Sequence, residues 1–182
     1  EVVLGFYPRF PENHITLSMR GPDEPAVTEA LNRVEDGIRA LLGSHVFASG
    51  DKTMAGVVGE LLRKKGTTLS TAESCTGGLI GNLLTHVPGS SSYYRGGVVV
   101  YSNPSKVKLL GVLPETLEEH GAVSDATVRQ MAEGLRKAIP SDMGIAVTGI
   151  AGPDGGSPEK PVGTVHIGLA TDAGTRSGKY RF

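Results

Sequence analysis

From Thr67 onward the chain alternates between short apolar runs and amphipathic helical stretches, and that alternation restricts the fold more than any single residue does. Thr67–Ser74 reads as a strand, 77–86 as a helix, and Gly96–Tyr101 (Gly-Gly-Val-Val-Val-Tyr) as a buried strand. A further helix opens at Asn103-Pro104, with asparagine as N-cap and proline at the first helical position. Ser124 caps a helix carrying Val128, Met131, Ala132 and Leu135, and Met143–Val147 is another buried strand. Gly163–Ala170 and Gly178–Phe182 form a last pair of strands joined at Asp172-Ala173-Gly174. Strands and helices in that order build an α/β domain, a three-layer α/β/α arrangement around a central mixed sheet. Ligands bind such sheets beyond the carboxyl ends of strands.

The first fifty residues follow another pattern. Val2–Tyr7 and Ile15–Met19 are strand-like, with the turn between them at Pro8, Pro11, Glu12 and Asn13. After Gly21-Pro22, Val27, Ala30, Leu31, Val34, Ile38, Leu41 and Leu42 keep a helical period that stops near Gly43. This is a small α+β module over residues 1–47, too small for a comfortable core of its own. The boundary falls at Ser44–Gly50, and a second domain starts at 51 with a helix capped by Asp51 or Thr53 and ending at Gly66. Because the chain opens without methionine and stops inside an alternating segment, it reads as a piece of something longer.

Charge and composition exclude several classes of function. Eighteen lysines and arginines nearly balance nineteen aspartates and glutamates, so no net charge favours a phosphate backbone or an anionic membrane. Tryptophan is absent and residues 1–50 hold no Gly-x-x-Gly clamp, so nucleic acid is not the expected partner. No run is long and apolar enough to span a membrane, and a single cysteine makes the reducing cytoplasm the expected compartment. The five histidines show no metal-ligand spacing. A homo-oligomer, most simply a dimer, is the default assembly.

Three strand ends carry the candidate chemistry. At the first, Ser74 and Cys75 sit where a strand turns into a helix with Gly77 and Gly78 in its first turn. Ser74 is either a nucleophile or, like Thr76, a helix cap, while Cys75 is either a second nucleophile or a small buried hydrophobe. Backbone N–H groups at Thr76, Gly77 or Gly78 are placed to hold an oxyanion, and Glu73 to orient a substrate hydroxyl or a lysine. At the second end, Lys106 lies in the first turn of its helix, one turn from Tyr101 and Asn103; it is either a solvated surface lysine or a base, and for a base a helix N-terminus and burial both disfavour the charged form, as the role requires. Sequence order alone leaves open whether Ser74 and Lys106 touch. The third end, Thr148-Gly149 through Gly152, Gly155 and Gly156, resembles loops that wrap phosphates, with Lys160 adding a positive charge; such a loop is equally a plain connector.

Four ordered motifs, Thr-Ala-Glu-Ser-Cys-Thr-Gly-Gly (71–78), Tyr-Ser-Asn-Pro-Ser-Lys (101–106), Gly-Ala-Val-Ser (121–124) and Ala-Val-Thr-Gly-Ile-Ala-Gly-Pro-Asp-Gly-Gly-Ser-Pro-Glu-Lys-Pro-Val-Gly-Thr-Val (146–165), resemble the CinA family of competence/damage-inducible proteins. The likeness covers residue 51 to the end and is to the family's C-terminal, nicotinamide-nucleotide amidohydrolase domain. Residues 5–12 resemble the KH-like connector that joins this domain to an N-terminal molybdopterin-binding-like domain, which is absent here. The resemblance implies hydrolysis of nicotinamide mononucleotide to nicotinate mononucleotide and ammonia in pyridine nucleotide salvage, without a metal or other cofactor. It implies Ser74 as nucleophile, Lys106 as base, Tyr101 as an assisting group and Thr148 near the reacting amide or the substrate. A nucleotide-binding module without turnover is the alternative.

Overall fold

The computed structural model describes residues 1–9 and 12–182, with nothing said of the Arg9 side chain. It divides into two compact units, Glu1–Lys52 and Thr53–Phe182.

In the first unit, β1 (Val3–Arg9) and β2 (Glu12–Ser18) pair antiparallel, and α1 (Glu24–Leu42) follows with proline in its first turn. The strands run further than the sequence suggests. Pro8 pairs with Asn13, so both expected turn residues belong to the ladder, as does Glu12. Proline is tolerated there because both strands of a two-stranded ribbon are edge strands. Of the expected turn, Pro11 lies outside the described residues.

The second unit runs α2 (Met54–Lys65), β3 (Leu69–Glu73), α3 (Leu79–Thr85), β4 (Tyr94–Val99), α4 (Asn103–Leu110), α5 (Pro114–His120), α6 (Asp125–Ala138), β5 (Met143–Gly149), β6 (Thr164–Thr171) and β7 (Gly174–Arg181). The sheet order is β4-β3-β5-β6-β7. β3 is parallel to both neighbours, while β6 runs antiparallel to β5 and β7, so the central sheet is mixed as the alternation predicted. Thr53 is the cap of α2, its hydroxyl accepting from Gly56 N–H at 3.1 Å. α5 was not foreseen; its seven residues offer a start at Pro114 and too few apolar positions to show a period.

Two apolar layers enclose the sheet. Val128, Met131, Ala132 and Leu135 follow helical spacing on α6 and are each 0% exposed. They pack on Ala72, Ala146 and Ala170, whose small side chains bring helix and sheet close. Burial of the three larger ones stabilises the fold by roughly 2 kcal/mol each. On the opposite face Leu62 of α2 and Leu84 of α3 pack with Leu69 and Tyr93, against Met143 and Ile145. Between α4 and α6 the approach is closer still: a Cβ on Gly134 would lie 1.7 Å from the Leu110 carbonyl oxygen. Alanine at 134 gains about 1 kcal/mol of helix propensity but forces the two helices apart. Gly134→Ala is therefore expected to destabilise the protein by about 3 kcal/mol, read as a lowered denaturant midpoint.

Candidate active site

Because β4, β3 and β5 are parallel neighbours, their carboxyl ends open side by side. β3 stops at Glu73, and the chain then turns through Gly77 (φ 60°) and Gly78 (φ 100°), a left-handed backbone that only glycine adopts without strain. Glu73 does not face the crevice as expected. Its carboxylate accepts N–H bonds from Gly78 (3.0 Å), Ile80 (3.0 Å) and Gly81 (2.8 Å), so it caps α3. That frees Ser74 from the capping role. Its backbone N–H donates to the Val147 carbonyl, tying the turn to β5, and its side chain is 7% exposed.

Lys106 reaches this serine. Ser102, not Asn103, is the cap of α4: its hydroxyl accepts from Ser105 N–H at 3.3 Å, which puts Asn103 and Pro104 in the first turn and Lys106 at the fourth helical position. From there the side chain points into the core at 1% exposure. Its Nζ donates to Ser74 Oγ (3.2 Å), Val100 O (2.9 Å) and Tyr101 O (3.1 Å). No carboxylate pairs with it among the described residues, and burial holds its pKa below the ordinary lysine range, with the nearby Cys75 pulling weakly the other way. Two carbonyls occupying two N–H groups orient the third direction of the amine at Ser74. A neutral amine so held has its lone pair on the serine proton.

Tyr101 contributes its carbonyl; its ring is 76% exposed. Cys75 is half-buried, and burial pushes its thiol pKa up, which argues for an inert sulfur. Of the three amides expected to hold an oxyanion, two are already spent. Gly77 N–H donates to Ser74 O at 3.2 Å and Gly78 N–H to Glu73. The N–H groups of Cys75 and Thr76 lie against the Cys75 sulfur and favour its charged form against burial. Thr76 Oγ1 is buried without a partner among the described residues.

At the third strand end, Thr148 is 1% exposed and its hydroxyl donates to Ala122 O at 2.8 Å, which fixes the 121–124 loop and leaves no proton for substrate. A Cβ on Gly149 would meet Cys75 Sγ at 3.0 Å, so β5 ends against the turn that carries Ser74. The remaining glycines sit where their own loop packs closely. A Cβ on Gly152 or Gly156 would collide with Val162 (2.6 and 2.7 Å), and the nearest atom to one on Gly155 belongs to Ile150 (3.9 Å): they let the 150–163 loop fold on itself. Lys160 Nζ donates to His120 O at 2.8 Å. Asn103 is exposed beside Tyr101. His166, one of the five histidines without metal-ligand spacing, is 8% exposed and lies on the buried face of β6 with Thr164, Gly168 and Ala170.

No group of three or more metal-ligating side chains occurs among the described residues, and no helix there is long and apolar enough to cross a membrane.

Comparison with known proteins agrees with the four motifs. Residues 51–182 match the model of the CinA C-terminal domain. A CinA-like protein of Geotalea uraniireducens is 48% identical over 181 residues, covering 100% of this chain and 43% of the relative. One from Synechocystis is 48% identical over 166 residues, 91% of this chain and 40% of the relative. The chain thus spans less than half the length of these two relatives. Among solved structures, the competence/damage inducible protein CihA of Agrobacterium tumefaciens superposes with a TM-score of 0.68 at 45% identity, over 70% of this chain and 78% of that one. The competence damage-inducible protein A of Klebsiella pneumoniae superposes with a TM-score of 0.66 at 38% identity, over 69% and 78%.

Proposed function

The chain belongs to the CinA family, and on that footing we propose that its second unit is an amidohydrolase that converts nicotinamide mononucleotide to nicotinate mononucleotide and ammonia. The observation that carries the reading is the 3.2 Å contact between Lys106 Nζ and Ser74 Oγ at the buried strand end, with no ion pair to the lysine among the described residues.

In the proposed mechanism Lys106, as neutral amine, takes the proton of Ser74 Oγ while that oxygen bonds to the carboxamide carbon. The carbonyl oxygen becomes an oxyanion, met in this reading by backbone N–H groups of the turn that follows Ser74; one such donor is worth about 3 kcal/mol of barrier. Collapse breaks the C–N bond, and the Lys106 ammonium returns its proton to the leaving nitrogen, which departs as ammonia. Water, deprotonated by Lys106, then attacks the serine ester, releasing the carboxylate and restoring Ser74. Tyr101 is the third partner. Its carbonyl accepts from Nζ at 3.1 Å, and in this reading its exposed phenol relays or positions the proton that Lys106 carries. Tyr101→Phe is expected to lower kcat about a hundredfold with little change in stability; unchanged kcat would remove the phenol from the mechanism.

Ammonia release from nicotinamide mononucleotide, with free nicotinamide as comparison, tests the activity directly. Turnover of the mononucleotide bears the reading out. Tight binding of the mononucleotide with no ammonia over hours would make this unit a nucleotide-binding module instead.

A further inference from the structure

The line of side chains facing α6 at the level of the nucleophile continues beyond Thr148. Ser74 follows Glu73, which pairs with Val147; Thr148 pairs with His166, and His166 with Lys179. Ser74, Thr148, His166 and Lys179 therefore stand in a row across β3, β5, β6 and β7. Strands lie about 4.8 Å apart, so His166 is about 10 Å and Lys179 about 14 Å from the serine along the sheet.

The far end of this row has an uncompensated polar atom. His166 is 8% exposed and its Nδ1 is buried with no hydrogen-bond partner among the described residues, a state that asks for a partner. Asp125, Lys179 and Lys160 are all near enough to act on its charge, with burial the main reason that its pKa is low. Asp125 opens α6, a helix of 14 residues whose first main-chain bond runs from Val128 N–H to Ser124 O. The Thr127 N–H is taken by the Ser124 hydroxyl at 3.2 Å, which leaves the Asp125 and Ala126 amides as the open donors at the positive end of the helix. The Asp125 carboxylate is engaged by Arg129 Nε at 2.7 Å and by the Ser177 hydroxyl, so its charge is matched locally. Lys179 is exposed and in no ion pair among the described residues.

We propose that the first turn of α6, His166 and Lys179 form the subsite for the phosphate monoester of the substrate, while its carboxamide lies at Ser74. The inference rests on the mononucleotide reading above. Ribose separates the two ends of a mononucleotide by a distance of the same order as two strand spacings, and the row supplies a nucleophile at one end and cations with a helix N-terminus at the other. Lys160, reaching over from the 150–163 loop to the His120 carbonyl, adds positive potential to that end.

Inorganic phosphate is the probe. It is expected to compete with nicotinamide mononucleotide, and to move the His166 imidazole resonance toward the protonated form. Lys179→Gln should raise KM for the mononucleotide about ten- to a hundredfold with a far smaller change in kcat, and abolish the phosphate effect on His166. His166→Gln should do the same, and the surface substitution decides the matter if this buried one fails to fold. Ammonia release with KM and phosphate competition unchanged in Lys179→Gln would overturn the subsite and leave the amidohydrolase standing. A phosphate-dependent His166 shift, lost in Lys179→Gln, from a protein that releases no ammonia would keep the anion site and sink the amidohydrolase. Absence of both effects would remove both.

Discussion

Ser74→Ala is expected to abolish ammonia release from nicotinamide mononucleotide, by about a millionfold in kcat if the serine forms the covalent ester. The fold should survive. The hydroxyl accepts one bond from Lys106, and the tertiary tie at this residue is made by its backbone N–H to Val147, which alanine keeps. A melting temperature within a few degrees of the parent, together with lost turnover, separates a chemical role from a structural one. Cys75→Ala is the matched control, since its thiol is pushed toward the protonated state by burial and takes no part in the proposed steps. Activity surviving in Ser74→Ala, or vanishing in Cys75→Ala, would move the nucleophile from the oxygen to the sulfur.

Lys106→Met carries the second large effect, a loss of about 10²–10⁴ in kcat from removing the general base. The pH dependence gives the stronger test. Lys106 works only when neutral, and burial lowers its pKa, so activity is lost as pH falls through that lowered value and is full above it. Stability follows the same sign. Between the folded-state pKa and the ordinary lysine value the unfolded chain binds more protons, so stability rises with pH across that window and is least below it. Lys106→Met should flatten both profiles. At neutral pH it exchanges a desolvated amine for an apolar chain of similar length, against the Val100 and Tyr101 carbonyls left without a donor at about 1–3 kcal/mol. An acid limb that persists unchanged in the methionine variant would assign the titration to another group.

The α/β class was legible because periodicity is local: the stripe of α6 and the apolar runs of β3 and β5 appear in any window long enough to hold a turn or a strand. Caps were partly legible for the same reason. Thr53 and Ser124 sit where their helices begin, while α4 takes Ser102 over Asn103 because its first turn starts one residue earlier than Pro104 suggests. Side-chain roles were harder. Glu73 reads as a reactive carboxylate beside a nucleophile, yet strand alternation turns it to the other face, where three backbone amides claim it. Thr148 was placed near the chemistry and spends its hydroxyl on Ala122. Both outcomes depend on main-chain groups, 5 to 8 residues along for Glu73 and 26 residues back for Thr148, and main-chain groups carry no residue signature.

The sequence by itself determined that Ser74 ends a strand at a glycine turn, that Lys106 lies one helical turn inside the next strand–helix junction, and that three strand ends carry the polar residues. Only the tertiary structure decided that β3 lies between β4 and β5, bringing a side chain 32 residues further along to 3.2 Å from the serine. Strand order is a long-range property, set by which apolar faces cover one another and not by any local pattern. The reactivity of the lysine follows from the same cause: its carbonyl partners and its burial exist only once α4 has packed beside α6.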